Sequence, residues 1–373
     1  MADLLVIGDV VITMDGTRRM IADGAVAITS DRIVAVGPRA EIAPTVPGAT
    51  VVGGPGHLVL PGFVNAHQHL TGDRLVRSAI PDDITSHEAI FSWAVPIHAA
   101  HGPDDDELSA TLALVDAATN GVTYTVEAGT VAHPDRVLAA FDRVGVGGTL
   151  GSWGWDVTGA PWSGSVDDVL ERQRHTLDLT AGHPRVDGWV TLLGHDLMSD
   201  ELVVAASDLA TTTGRGLTFH VSPTPTDAVA SLARTGRRPL VHLDALGVLG
   251  PHVLLAHAVH LDDDEVAVVV ARDVAIAYCP WAYLRLGQGV ARAGRHVDIM
   301  ASGGRVALGC DSENAGDAVD VLRVAALAAG LAKLQRATVA DLMAVEDVDE
   351  VMAMSIKDTL ERVTESTILD QYS

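Results

Sequence analysis

From about residue 60 the chain repeats one pattern: a short apolar or β-branched run, a loop, then a stretch with helical spacing. Eight such runs follow one another: "LVLPGFVNAH", "GVTYTVEAG", "VGVGGTLGSW", "DGWVTLLGH", "GLTFHVS", "HVLLAHAV", "DVAIAYCP" and "GRVALGCD". Short apolar runs alternating with helices are what a buried parallel sheet requires. Eight repeats suffice to close that sheet, so the pattern predicts a (β/α)8 TIM-like barrel over residues 60–335; a doubly wound open sheet is the alternative. Helix signals lie between the runs. "PDDDELSATLALVDAATNG" sets Leu108, Leu112 and Val115 on one face and stops at Gly121. "SDELVVAASDLATTTG" has Ser199 as N-cap and Gly214 as its stop.

The flanks read differently. Residues 1–59 hold β-branched runs broken by Gly, Asp and Pro, which predicts a small β-sandwich-like domain. Residues 336–373 form an acidic, helix-prone tail without a further strand. A 48% hydrophobic content excludes global disorder, and a net charge of −24 disfavours nucleic acid and anionic membranes as partners. With only Cys279 and Cys310, no disulfide framework is available, which fits a reducing compartment. The start "MADLLVIGDVVITMDG" lacks the features of a signal peptide, and no apolar run has the length of a membrane helix. These features together predict a cytoplasmic protein.

A barrel carries its chemistry at the C-terminal ends of its strands. His67 and His69 end the first run, behind Leu60, Phe63 and Val64, which read as a buried strand. His195 ends the fourth run, His220 the fifth, His257 the sixth and Asp311 the eighth. Each has an ordinary reading: a strand-end His is commonly a satisfied polar residue, and Asp311 could cap the loop "DSENAGD". Six such residues at corresponding ends are better explained by one shared site. Neutral imidazoles and a carboxylate suit Zn²⁺ or Fe²⁺ with an open position for water. His87, His98, His101, His175, His183, His242, His252 and His296 fall in loops or helices and read as ordinary.

These blocks resemble the amidohydrolase superfamily, in particular its branch of cytosine, guanine and adenosine-analogue deaminases and triazine hydrolases. "PGFVNAHQHL" is similar to the first-strand signature, and "LLAHAVHLDDDEV" with "AYCPWAYLRLGQG" to the sixth and seventh. "VALGCDSENAGDAVDVLRVAALAAGLAK" resembles the block around the eighth strand. The resemblance implies that His67, His69, His220 and Asp311 bind one divalent metal, Zn²⁺ first, with Fe or Mn as alternatives. It implies catalytic roles for His257 and Asp311, with His257 contacting the hydrolytic water and the substrate. His195 would contact the heterocycle, and Trp93 lies in a segment that lines the family's substrate pocket. Trp153, Trp155 and Trp162 could stack on a flat ring.

Two departures from the family pattern matter. A Glu usually stands three residues after the fifth-strand His and shuttles protons; here that position is Pro223. Glu127, ending the second run, is the nearest spare carboxylate on the predicted face and a candidate substrate contact, with loop stabilisation as its ordinary reading. The second departure is that strands completing the sandwich do not follow Lys333, which leaves N-terminal edges that dimerisation or the tail would cover. Cys310 stands where Thr is common, and alternation turns it away from Asp311's face. The favoured function is a metal-dependent aminohydrolase that releases ammonia from a purine, pyrimidine or triazine. The alternatives are an amide, amidine or carbon–halogen hydrolase, and a catalytically impaired metal-binding barrel serving as a scaffold. The implied partner is a small heterocyclic molecule, with homo-oligomerisation left open.

Overall fold

A computed structural model describes residues 3–72, 74–316 and 318–362. The chain forms two compact units that divide between Phe63 and Val64. In the first, strands β1 (Leu4–Ile12), β2 (Met20–Thr29), β3 (Arg32–Pro38) and β4 (Thr50–Val59) make one sheet in the order β3-β2-β1-β4. β1 runs antiparallel to β2 and parallel to β4. Leu5, Ala25, Ala27 and Val46 form its small core. Gly53 has φ +90°, and a Cβ there would stand 2.2 Å from the Ile7 carbonyl oxygen, so only glycine fits beside β1.

The second unit carries the parallel strands. β5 (Phe63–Gln68), β6 (Val122–Glu127), β7 (Gly147–Leu150) and β8 (Val186–Gly188) form one run, in that order. β9 (Val190–Gly194), β10 (Leu217–Val221), β11 (Val253–His257), β12 (Ala275–Tyr278) and β13 (Arg305–Leu308) form the other. β8 and β9 are one strand interrupted at Trp189, whose N–H donates to the Leu150 carbonyl at 2.9 Å. At the opposite seam the Asp311 N–H donates to the His67 carbonyl at 3.0 Å, and the Cys310 N–H to Asn65 Oδ1 at 2.8 Å. The ring closes there, and the (β/α)8 barrel expected from the eight runs is borne out.

Alternation along the strands builds two layers. Ala66, Val126, Leu254 and Ala277 meet in the interior, while Phe219, Val221, Leu255 and Ile276 join the larger core under the outer helices. Helix signals also held: Ser199 accepts from the Leu202 N–H, and Gly214 ends that helix at φ 66°.

Two expectations are corrected. Leu108, Leu112 and Val115 do share a face of helix Pro103–Thr119, but it is the outward one, 43–52% exposed. Its inward face is Ala110, Ala113, Leu114 and Ala117, because small side chains let the helix approach its neighbours closely. Likewise Leu60 and Val64 are exposed, and burial begins at Asn65. The apolar lead-in therefore did not mark the interior; the strand's last four residues, Asn65–Gln68, enter it.

Beyond β13 the described residues are helical, with helices Val321–Arg336, Val339–Met343 and Glu350–Arg362. The end of the acidic tail, residues 363–373, lies outside the described residues. Among the described residues, no helix is long and apolar enough to cross a membrane.

Candidate metal centre

Three strands leave the barrel through backbone that side-chain-bearing residues seldom adopt. Ser222 has φ 45°, His257 φ 76°, Ala258 φ 51° and Asp311 φ 61°. Each such residue costs on the order of 1–3 kcal/mol and persists only where its surroundings hold it. Here the holders are visible. The Ala258 N–H donates to the Val221 carbonyl at 2.9 Å, and His296 Nε2 donates to the His257 carbonyl at 2.7 Å. Strain at these exits turns the His257 and Asp311 side chains towards the barrel axis.

What converges there is an imidazole cluster with a carboxylate. Ligand-type atoms of His67, His69 and Asp311 lie within 4.8 Å of one another, as do those of His67, His220 and His257. Asp311 Oδ1 stands 3.8 Å from His67 Nε2 and 3.6 Å from His69 Nε2. Atoms bound to one ion at about 2.1 Å sit roughly 3–4 Å apart, so these separations are of the right size.

Hydrogen bonding sharpens the point. His220 Nδ1 contacts the Leu193 carbonyl, which can only accept, so Nδ1 carries the proton and Nε2 a lone pair. That Nε2 lies 3.1 Å from His69 Nε2, while His69 Nδ1 meets Thr130 Oγ1 at 3.0 Å. Two ring nitrogens so close either share one proton or face a common cation. His67 Nε2 is buried and has no hydrogen-bond partner, a rare situation that a cation resolves. Burial holds His67, His69 and His257 well below the ordinary imidazole range, and His220 below it too, so all four are neutral at pH 7. Burial also raises Asp311 to about 6. The donor set fits a divalent metal.

The centre opens into a cavity of about 330 Å³, whose lining includes His69, His220, His257, Asp311, Phe91 and Trp153. The other sequence candidates fall elsewhere. His195 is buried, neither of its ring nitrogens has a hydrogen-bond partner, and it faces a second, much smaller cavity beside Met198 and His242. Its neighbour Asp196 lines the large cavity instead, since consecutive residues leaving a strand face opposite sides. Trp93 is 37% exposed and does not line the cavity; Ile90 and Phe91, on the same turn, do. Trp155 is packed within the protein, its Nε1 donating to the Pro161 carbonyl.

Glu127 takes its ordinary reading. It is fully buried, its carboxylate accepting the Gly129 N–H at 2.7 Å and the Thr130 N–H at 3.4 Å, and burial lifts it to about 7. It therefore braces the loop whose Thr130 hydroxyl touches His69. Replacing Glu127 with Ala leaves two buried N–H groups without an acceptor, costing roughly 1–3 kcal/mol. Loss of such an outer brace also weakens metal affinity by about tenfold. Thermal denaturation and chelator competition measure both; unchanged affinity would separate Thr130's placement from Glu127.

Reading from sequence missed other neighbours. His98 and His296, taken as ordinary, are buried beside the centre, His98 lining the cavity and His296 stacked on Tyr278 at 3.9 Å. Cys279 Sγ lies within 4.8 Å of ligand-type atoms of His257 and Asp311, but burial pushes its thiol well up, so it is protonated. Cys310 is buried and free.

Residues 58–365 match the amidohydrolase family. The chain belongs to that family. Among amidohydrolase relatives, a 5-methylthioadenosine/S-adenosylhomocysteine deaminase of Pelotomaculum thermopropionicum is 29% identical over 86% of this chain and 72% of its own length. The same-named enzyme of Nitratidesulfovibrio vulgaris strain DP4 is 28% identical over 83% and 68%. A zinc-bound adenosine deaminase of Xanthomonas campestris superposes with TM-score 0.78 at 23% identity, over 95% of this chain and 80% of that one. An atrazine chlorohydrolase of Arthrobacter aurescens complexed with zinc gives TM-score 0.76 at 23% identity, over 91% and 80%. These likenesses support the barrel, and family membership makes the chain a hydrolase.

Proposed function

We propose that the protein is a zinc-dependent deaminase acting on the amino group of a purine nucleoside of the adenosine type. The observation that carries this reading is the meeting of four neutral histidines and Asp311 at the floor of a cavity large enough for such a molecule. Deaminase relatives matched over most of the chain support the substrate class.

His67, His69, His220 and Asp311 would hold one divalent ion, which would supply a water with its pKa lowered towards about 7. The chain's residues do the rest. Asp311 would accept a proton from the attacking water. His257 Nδ1 is buried and has no hydrogen-bond partner, so it is available to the oxygen attacking the ring. Trp153 and Phe91 supply apolar surface for a flat ring and exclude water.

Ammonia release from adenosine, 5′-methylthioadenosine, S-adenosylhomocysteine, guanine, cytosine and an aminotriazine tests the reading. Turnover at least 10-fold faster on one of the adenosine-type compounds is expected. No ammonia from any of them with Zn²⁺, Fe²⁺ or Mn²⁺ loaded would overturn it. Pro223 on the cavity wall favours one second reading, displacement of another leaving group such as halide; mass analysis of products from a chlorotriazine separates the two.

A further inference from the structure

Pro223 lines the cavity but has no proton to give or take, so deamination as proposed above needs another group on that wall. Asp227 is that group by position. It sits in the first turn of helix Pro225–Thr235, directly after β10, the strand that carries His220. Its Oδ2 accepts the Thr224 N–H at 2.8 Å, and that nitrogen belongs to the peptide joining Pro223 to Thr224. The capping bond therefore folds the carboxylate back beside residue 223 rather than letting it follow the helix outward. Asp227 lines the same cavity as His220, His257 and Asp311. Its ordinary reading is a helix cap, and capping accounts for the bond to Thr224. It does not account for a carboxylate kept on the wall of a largely apolar cavity.

We propose that Asp227 is the proton-transfer residue of this enzyme, standing in for the carboxylate that position 223 lacks. Water adds its oxygen to the ring carbon bearing the amino group, the ring C=N π pair moves onto the ring nitrogen, and the proton that the water sheds to Asp311 is passed on to Asp227. Asp227 returns that proton to the exocyclic nitrogen. The pair on the ring nitrogen then re-forms the C=N bond as the exocyclic C–N bond breaks with its electron pair going to the amino nitrogen, ammonia leaves, and the new hydroxyl tautomerises to the ring carbonyl. Burial pushes the Asp227 carboxyl up to about 6 against the pull of the Thr224 N–H, and Asp196 adds to the rise, which suits a group that must both take and give a proton near neutrality.

The test rests on the deaminase reading and uses the zinc-loaded full chain. Asp227→Asn keeps an oxygen for the Thr224 N–H but cannot carry a proton. Expected is a fall in kcat of about 10²–10⁴, with KM within about threefold and with metal content and melting temperature unchanged. Asp227→Glu keeps a carboxylate and retains about a tenth or more of wild-type kcat. Adding Pro223→Glu to Asp227→Asn recovers at least about tenfold, because it restores a carboxylate to the same wall. A loss under threefold in Asp227→Asn, a loss accompanied by lost metal or lowered melting temperature, or no recovery in the double variant overturns the proposal. Those results leave the deaminase reading standing if the wild type turns over; a wild type that releases no ammonia overturns both.

Discussion

Replacing His67 with Ala should abolish turnover, by at least about 10³-fold, and reduce bound zinc to a small fraction of the wild-type content. His67 is the most deeply placed of the four proposed ligands, 2% exposed, and its Nε2 has no protein partner. Its removal takes away one donor and also the wall that holds the neighbouring ligands together. His69 and His220 would retain their outer contacts with Thr130 and Leu193, so the fold itself should survive. Metal analysis after gel filtration, paired with the ammonia assay, reads both effects. Asp311→Asn should separate them. Asn keeps a neutral oxygen donor but cannot take a proton, so its zinc content should fall less than its rate, which drops by about 10²–10⁴. A His67→Ala protein that keeps full zinc and half its activity would remove His67 from the centre.

The second large effect is on stability. Stripping the metal should lower the melting temperature at pH 7, and in both forms the melting temperature should fall in acid. An ion present at 1,000 times its dissociation constant stabilises by about 4 kcal/mol, and chelation forfeits that. The pH dependence has a definite sign. Burial holds His67, His69, His195, His220, His257 and His296 below the ordinary histidine range. Below about pH 6.5 the unfolded chain binds protons that the folded chain refuses, so stability falls as pH falls. Four buried carboxyls act the other way: Glu127 at about 7, Asp227 and Asp311 at about 6, and Glu265, which burial also raises, keep protons in the folded state that the unfolded state releases. With His252 and His260 also lowered by burial, eight histidines outweigh four carboxyls. The metal-free protein should lose roughly 10 °C or more between pH 7 and 5, and the zinc-loaded protein at least as much, because coordinated nitrogens refuse the protons that the unfolded chain takes up and metal affinity itself weakens in acid. Calorimetry of the two forms across that window decides it; equal melting temperatures of the two forms at pH 7 would mean that the ligands do not bind metal.

Much of the barrel was legible because its strands are short apolar runs with turn residues at each end, and their order alone determines which ends share a face. His67, His220 and Asp311 could be grouped before any coordinates existed, since each stands where its run stops. Rotation about the strand exit was not legible. His195 and Asp196 are consecutive, and which of them turns inward depends on the loop that follows, not on residue type. Asp227 was hidden for a different reason: Thr-Pro-Thr-Asp reads as a helix start, and nothing in it shows that the cap folds the carboxylate back beside Pro223. The outward face of helix Pro103–Thr119 misled because apolar spacing marks a stripe without saying which side of the helix the barrel takes, and here small residues won the inner side. Glu127 misled in the opposite sense. Its place at a strand end was right, but its carboxylate is consumed by the Gly129 and Thr130 amides.

Anomalous diffraction at the zinc edge, from crystals of the loaded protein, tests the shared centre most directly. One peak is expected, within about 2.0–2.2 Å of the Nε2 atoms of His67, His69 and His220 and of an Asp311 carboxylate oxygen. A peak bound elsewhere, or loaded crystals in which those four side chains coordinate nothing, would contradict it.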